Sequence, residues 1–245
     1  GNVGIGTTTP AAKLTIVETS TQNPLNLWAN ATSVMSVDVS GNVVLTGSMY
    51  QDTYGSDDGL VLYLPFSEGM TSSTAITAYD RSPYGNDGTA TGMPMPTRNA
   101  TSGESGWATT TCKVPGCMSF DGTDDYAGTL EGADSSLNLI NAMTYELWVK
   151  PSDGGDIYGR FITKTNASPY GTRTTMLGKE ADDETNVRWE HSGLTPSVLN
   201  SGAGKMTAGA WNHVVGTYES SGPTRVIYVN GVAVASDAPT GTITS

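Results

Sequence analysis

Charge is scarce in this chain and lopsided where it occurs. Only 15% of the 245 residues are charged, and 12 basic residues stand against 24 acidic ones, for a net charge of −12. A field of that sign repels phosphate backbones and anionic lipid surfaces, so no nucleic-acid partner is expected. No window approaches the run of about 18 apolar residues that a membrane span needs. No charged-then-apolar secretion signal opens the chain, and its first residue is Gly1 rather than Met, so it reads as a processed product or part of a longer one. Histidine occurs only at 191 and 213 and cysteine only at 112 and 117, a set too dispersed to hold zinc. No Gly-x-Ser-x-Gly elbow, phosphate loop or His-Glu-x-x-His motif is present, so nothing points to nucleophilic or metal-assisted hydrolysis and the chain reads as non-enzymatic.

What is abundant is turn chemistry. Thirty Gly and 12 Pro, with many Thr and Ser, suit short strands joined by turns and disfavour long helices, so an all-β protein is expected. The length allows one large β-domain and a smaller piece. The strongest local signal lies at Trp211 to Ser236. Trp211 to Tyr218 and Arg225 to Val229 are rich in β-branched and aromatic residues, and Ser220-Ser221-Gly222-Pro223 interrupts them as a hairpin loop. Asn230-Gly231 then fits a type I′ turn into a third strand, Val232 to Ala235. Upstream, Met143, Tyr145, Leu147 and Val149 alternate with Thr144, Glu146, Trp148 and Lys150, which places the first set on a core face.

Five phrases in order carry a family resemblance: Gly59-Leu-Val-Leu-Tyr-Leu-Pro-Phe-Ser-Glu-Gly69, Asp80-Arg-Ser-Pro-Tyr-Gly-Asn-Asp-Gly-Thr89, Met118-Ser-Phe-Asp-Gly-Thr-Asp-Asp-Tyr126, Thr144-Tyr-Glu-Leu-Trp-Val-Lys-Pro151 and Trp211-Asn-His-Val-Val-Gly-Thr-Tyr218. Together they resemble the laminin-G-like, concanavalin A-like jelly rolls of secreted and surface proteins. The resemblance implies an antiparallel β-sandwich over residues 59–245 and an extracellular or surface location. It implies little about function, because such domains serve as lectins, adhesion modules, enzyme appendages and spacers. A laminin-G-like domain closes with a further glycine, an acid and an apolar strand, whereas this chain stops at Gly241-Thr-Ile-Thr-Ser245. Either the sequence is truncated or another segment completes the sheet, since an unfilled edge pairs with whatever strand is offered.

Residues 1–58 read as a separate β-rich region ending in a linker. Gly1-Asn-Val-Gly-Ile-Gly-Thr-Thr-Thr-Pro-Ala-Ala-Lys-Leu14 resembles an element of phage tail-fibre and repetitive bacterial surface proteins. Two strands with a break at Pro10 are expected, with Val3, Ile5, Leu14 and Ile16 as assembly residues. A piece this short buries little alone and needs a partner. Copies of the same chain, in a filament by strand addition or in a trimer, are the expected partner.

Candidate sites follow from residue type. The Asp80–Asp87 and Asp121–Asp125 turns offer hard oxygen donors in Gly-rich backbone, which Ca²⁺ favours, with Asp80, Asn86, Asp87, Asp121 and Asp124 as ligands; Asp, Asn and Gly are equally what turns are made of. Tyr84, Trp107, Tyr126 and Tyr158, with Tyr170 and Trp189 behind them, are aromatics placed to stack on surface glycans, although more than half of such rings are expected in the core. Cys112 and Cys117, with four residues including Pro-Gly between them, suit a local disulfide that stabilises by about 2 kcal/mol. Asn30, Asn99 and Asn166 open glycosylation triplets, which also arise by chance in Thr-rich sequence. Glu180-Ala-Asp-Asp-Glu184 has the spacing of a glycosidase's strand-borne acids, but its neighbours are polar and an exposed turn is the expected reading. Leu60 to Phe66 is expected to be a central strand, and Thr89 to Thr111 a surface insertion.

Overall fold

The computed structural model describes residues 3–5, 7–9, 14–16, 25–29, 32–37, 43–45, 59–67, 77–93, 105–108, 112–113, 116–129, 136–151, 159–165, 173–180 and 183–244. Every regular element among them is a strand, so the protein is all-β. The chain divides into two compact units, Gly1–Asp58 and Gly59–Ser245.

In the first unit β1 (Val3–Ile5) pairs in parallel with β2 (Leu14–Ile16), Val3 opposite Leu14 and Ile5 opposite Ile16. β3 (Leu25–Ala29), β4 (Thr32–Val37) and β5 (Val43–Leu45) form an antiparallel meander.

The second unit is a sandwich with smaller sheets. β6 (Thr77–Ala78) and β10 (Tyr126–Gly128) flank β7 (Gly88–Thr91), and β8 (Gly106–Ala108) pairs with β9 (Cys117–Ser119). One main sheet runs in the order β11 (Ala142–Val149), β17 (Asn212–Glu219), β18 (Thr224–Val229), β19 (Val232–Asp237). The other runs β12 (Arg160–Thr165), β13 (Arg173–Glu180), β14 (Asp183–His191), β16 (Val198–Asn200). β15 (Leu194–Thr195) and β20 (Thr240–Gly241) form a short clip. All pairings in this unit are antiparallel. The β18–β19 turn has positive φ at both Asn230 (51°) and Gly231 (81°), as a type I′ turn requires.

The core follows from strand alternation. Met143, Val214, Tyr218, Ile227 and Val229 of one sheet meet Leu177, Val187 and Trp189 of the other, with Tyr145, Leu147 and Val149 packed against them. Trp189 is central: its ring meets Tyr145 edge-on at 5.0 Å, and Nε1 donates to the Thr217 carbonyl at 3.3 Å. Gly216 leaves it room, because a Cβ there would lie 2.9 Å from the indole. Removing such a ring costs about 3–5 kcal/mol.

Polar groups inside this core are matched almost completely. Arg225 is fully buried and pairs with Asp237 at 3.0 and 2.6 Å. It also donates to the carbonyls of Trp189, Pro196 and Ser197, which ties the loop after β15 to the sheet. His191 sits between the Trp189 and Tyr218 rings with its Nδ1 3.4 Å from Arg225 Nη1. Burial, assisted by the Arg225 charge, pushes its pKa from 6.5 down to about 3, so the ring is neutral.

Two expectations are corrected. Leu60 to Phe66 lies in no sheet. Its neighbour on one side is a turn rather than a strand: Asp80 Oδ1 accepts from the Tyr63 N–H at 2.8 Å, Arg81 N–H donates to the Tyr63 carbonyl at 2.9 Å, and Asn86 Nδ2 donates to the Val61 carbonyl at 2.7 Å. Asp80 also accepts from Ser82 N–H, Ser82 Oγ and Asn86 N–H, at 2.9, 2.6 and 2.8 Å. Residues 89–111 are not simply a surface insertion either. They contain the end of β7 and all of β8, whose Trp107 is only 1% exposed and packs near the Phe66 ring, with centroids 6.4 Å apart.

Both buried titrations make acid destabilising. His191 binds a proton more readily unfolded than folded, so its contribution is complete above pH 6.5 and declines toward pH 3, by at most about 1.4 kcal/mol per pH unit. Burial raises the Asp80 pKa, but the hydrogen bonds from Ser82, Tyr63 and Asn86 outweigh it and the net shift is downward; its contribution is lost only below about pH 4. Urea unfolding between pH 4 and 6.5 is therefore expected to lose most of its pH slope in His191→Phe, and an unchanged slope would assign it elsewhere. Asp80→Ala leaves three backbone donors unmatched and is expected to lose about 3 kcal/mol at pH 7; a loss under 1 kcal/mol would show that the turn does not depend on this carboxylate.

Candidate functional site

The most ligand-like cluster is the turn before β10. Asp121, Asp124 and Asp125 bring one carboxylate oxygen each within 4.8 Å of one another. Asp121 Oδ1 accepts from the Thr123 N–H at 2.7 Å, the main cause of its lowered pKa. Asp125 Oδ2 accepts from Ser105 Oγ and from the Asp121 N–H, while its Oδ1 is buried without a partner. The end of β7 backs onto this turn: Gly92 has φ of 81°, and a Cβ on it would lie 2.5 Å from the Asp124 carbonyl oxygen. The fold thus presents three hard oxygens on a braced turn, the donor chemistry Ca²⁺ takes.

The other proposed ligands do not join this cluster. Asp80 spends both oxygens on four protein donors, Asp87 Oδ1 accepts from the Asp80 N–H at 2.8 Å, and Asn86 Nδ2 bridges the Val61 carbonyl and Ser136 Oγ. The Asp80–Asp87 turn is a clasp holding residues 61–63. Asp125, absent from the ligands expected from sequence, is the one with the unmatched oxygen; its place in Asp-x-x-Asp-Asp was the available signal.

Among the aromatics, Tyr84 is 56% exposed on its turn, Tyr126 is half-buried in β10, and Trp107 is core. Trp107 is thereby corrected: a ring sealed between strands cannot stack on a sugar. Trp189 is likewise core. Tyr158 and Tyr170 lie outside the described residues, as do Asn30, Asn99 and Asn166. Cys112 and Cys117 are disulfide-bonded, with Cα atoms 5.5 Å apart. Val3, Ile5, Leu14 and Ile16 all fall in β1 and β2.

An exposed ring that sequence reasoning left aside lies on the outer face of β11. Trp148 is 44% exposed and sits directly across from His213 of β17, with ring centroids 5.1 Å apart. Lys113, carried by the disulfide loop, places Nζ 4.7 Å from the indole centroid, and His213 Nε2 lies 2.9 Å from Glu146 Oε1. Alternation had already put Trp148 and Glu146 together on the outer face; His213 and Lys113 come from distant segments and carried no such signal.

The described acids around Glu180 are engaged by arginines. Glu180 ends β13 and Asp183 begins β14, so the motif does not run along one strand, and the two residues are register partners across the β13–β14 pair. Glu180 binds Arg188 Nη1 at 3.0 and 3.2 Å, and Glu190 binds Arg188 and Arg173. Asp182 lies outside the described residues.

A profile of the laminin-G-like group, described as the concanavalin A-like lectin/glucanases superfamily, matches residues 121–245. No curated protein matches the chain. Among solved structures, domain 4 of AbnA, a GH43 extracellular arabinanase from Geobacillus stearothermophilus in complex with arabinotriose, is similar with a TM-score of 0.48 and 17% identity, over 74% of this chain and 77% of that one. On the match that spans both main sheets from β11 onward, the chain belongs to the concanavalin A-like lectin/glucanase superfamily.

Proposed function

We propose that the protein is a non-enzymatic extracellular structural and adhesive subunit, which assembles with copies of itself through its N-terminal strands and displays its concanavalin A-like domain. The observation that carries this reading is the pairing of β1 and β2. They are three residues each, and among the described residues each has only the other as a strand partner. A two-stranded ribbon of that size does not hold its shape in water. Parallel neighbours normally need a crossover of a dozen or more residues, and eight separate Ile5 from Leu14. Further strands from other chains supply what the ribbon lacks. The bonded disulfide suits an oxidising compartment, and the pairing of Glu180 and Glu190 with arginines favours a scaffold over a hydrolase. Negative-stain microscopy of the intact protein with particle-mass measurement is expected to show fibres, and deletion of residues 1–18 to give folded monomers. Monomers of the intact chain, or unchanged fibres after the deletion, would sink the reading.

A second reading, a Ca²⁺-dependent glycan-binding module, is favoured by the unmatched Asp125 oxygen beside Asp121 and Asp124. If Ca²⁺ binds there with a Kd of about 0.1 mM, 1 mM Ca²⁺ raises stability by about 1.4 kcal/mol. Asp125→Asn should abolish that increment, and glycan binding should vanish with chelator. An increment that survives the substitution would place the ion elsewhere.

A further inference from the structure

The backbone of Leu60 to Leu64 has two unlike edges. Val61 and Tyr63 direct their polar groups to the Asp80 clasp, where the Tyr63 N–H, the Tyr63 carbonyl and the Val61 carbonyl are all hydrogen-bonded. That these bonds fall on alternate residues and on one side is how a strand behaves. The opposite edge belongs to Leu62 and Leu64, and no hydrogen bond reaches the backbone of either from the described residues. Backbone donors and acceptors set in a row are a template for another strand.

The dimensions of this edge are set by sequence. Pro65 has no N–H, and Phe66, at φ of 53°, turns the chain away. The faces differ too. Tyr63 is 52% exposed, whereas Leu64 Cδ1 lies 3.7 Å from where a Cβ on Gly88 would sit, so Leu64 faces β7. An incoming strand therefore needs to be short, apolar on one face and undemanding on the other.

We propose that this edge is a strand acceptor, filled by β1 of a second copy of the chain. Asn2-Val-Gly-Ile-Gly6 places Val3 and Ile5 on one face and Asn2, Gly4 and Gly6 on the other. Ile5 is 56% exposed in the single chain, so its apolar surface remains to be covered. Residues 1–18 hold one base, Lys13, and one acid, Glu18, so the donor segment adds no net charge beside residues 52–68, which hold Asp52, Asp57, Asp58 and Glu68 and no base. Val3 and Ile5 join Leu62 and Leu64 on the inner face, which sets Gly4 opposite Tyr63 on the outer face whichever way the strand runs. Donor and acceptor are different surfaces of one chain, so the contact repeats head to tail without closing. This inference rests on the assembly reading and names the contact it uses.

The test mixes full-length Gly4→Cys with full-length Tyr63→Cys under mild oxidation. A disulfide-linked dimer is expected from the mixture, and none when Ser236→Cys on the exposed part of β19 replaces Tyr63→Cys. A peptide of residues 1–18 in excess is expected to return assembled wild-type protein to monomers, and the same peptide carrying Ile5→Pro to leave it assembled. Fibres that persist without cross-link or peptide effect would overturn this contact while leaving assembly intact. Monomers throughout would remove the assembly reading and this inference with it. A cross-link formed only within single chains carrying both substitutions would overturn the second copy as donor.

Discussion

Backbone hydrogen bonding is the constraint from which the rest of this structure follows. A strand buried on both edges must find a partner for every N–H and C=O, and one that does not is either solvated or waiting for another strand. In the main sheets the condition is met by ladders: β11 pairs with β17 over eight residues without a shift, and β17 with β18 over six. In residues 60–66 the described residues meet it on one edge, and by an unusual device. The Asp80 carboxylate gathers N–H groups from Tyr63, Ser82 and Asn86, so a turn imitates the neighbouring strand. The domain is held together there by one charged group where a sheet would have used many neutral ones.

The interior shows the same economy of polar groups. Arg225 would be costly to bury alone, but Asp237 and three carbonyls match its guanidinium. His191 is accommodated differently, by remaining neutral between two aromatic rings. Neither side chain is placed to do chemistry on a substrate, because both are sealed in the core. Chemistry accessible from outside lies at the rim: the Asp121–Asp125 turn, and Trp148 with its surrounding acid, imidazole and ammonium groups.

Much of this was legible in the sequence where the signal was local. The alternation of Met143, Tyr145, Leu147 and Val149 placed β11 on the core, and Asn230-Gly231 fixed the β18–β19 turn. The superfamily itself was readable from short phrases, since turns and strand alternations are written in consecutive residues. What failed depended on distant partners. Leu60 to Phe66 has the composition of a central strand, but composition cannot say whether a neighbour is present to pair with it. Trp107 sits in a polar stretch, and only its pairing with β9 shows that it is buried. Asp80 and Asp125 are both turn aspartates by sequence; that one is saturated and the other has a free oxygen is a fact of three-dimensional placement.

In the proposed assembly the even edge of residues 60–64 is occupied by a second copy, whereas within the single chain no described residue hydrogen-bonds to it. Amide hydrogen exchange of wild-type protein, dilute and concentrated, reads this residue by residue. The Tyr63 amide, bonded to Asp80 within the chain, is expected to be protected in both conditions, and those of Leu62 and Leu64 only on assembly. Leu62 and Leu64 amides that exchange equally fast in monomers and in assembled material would contradict it.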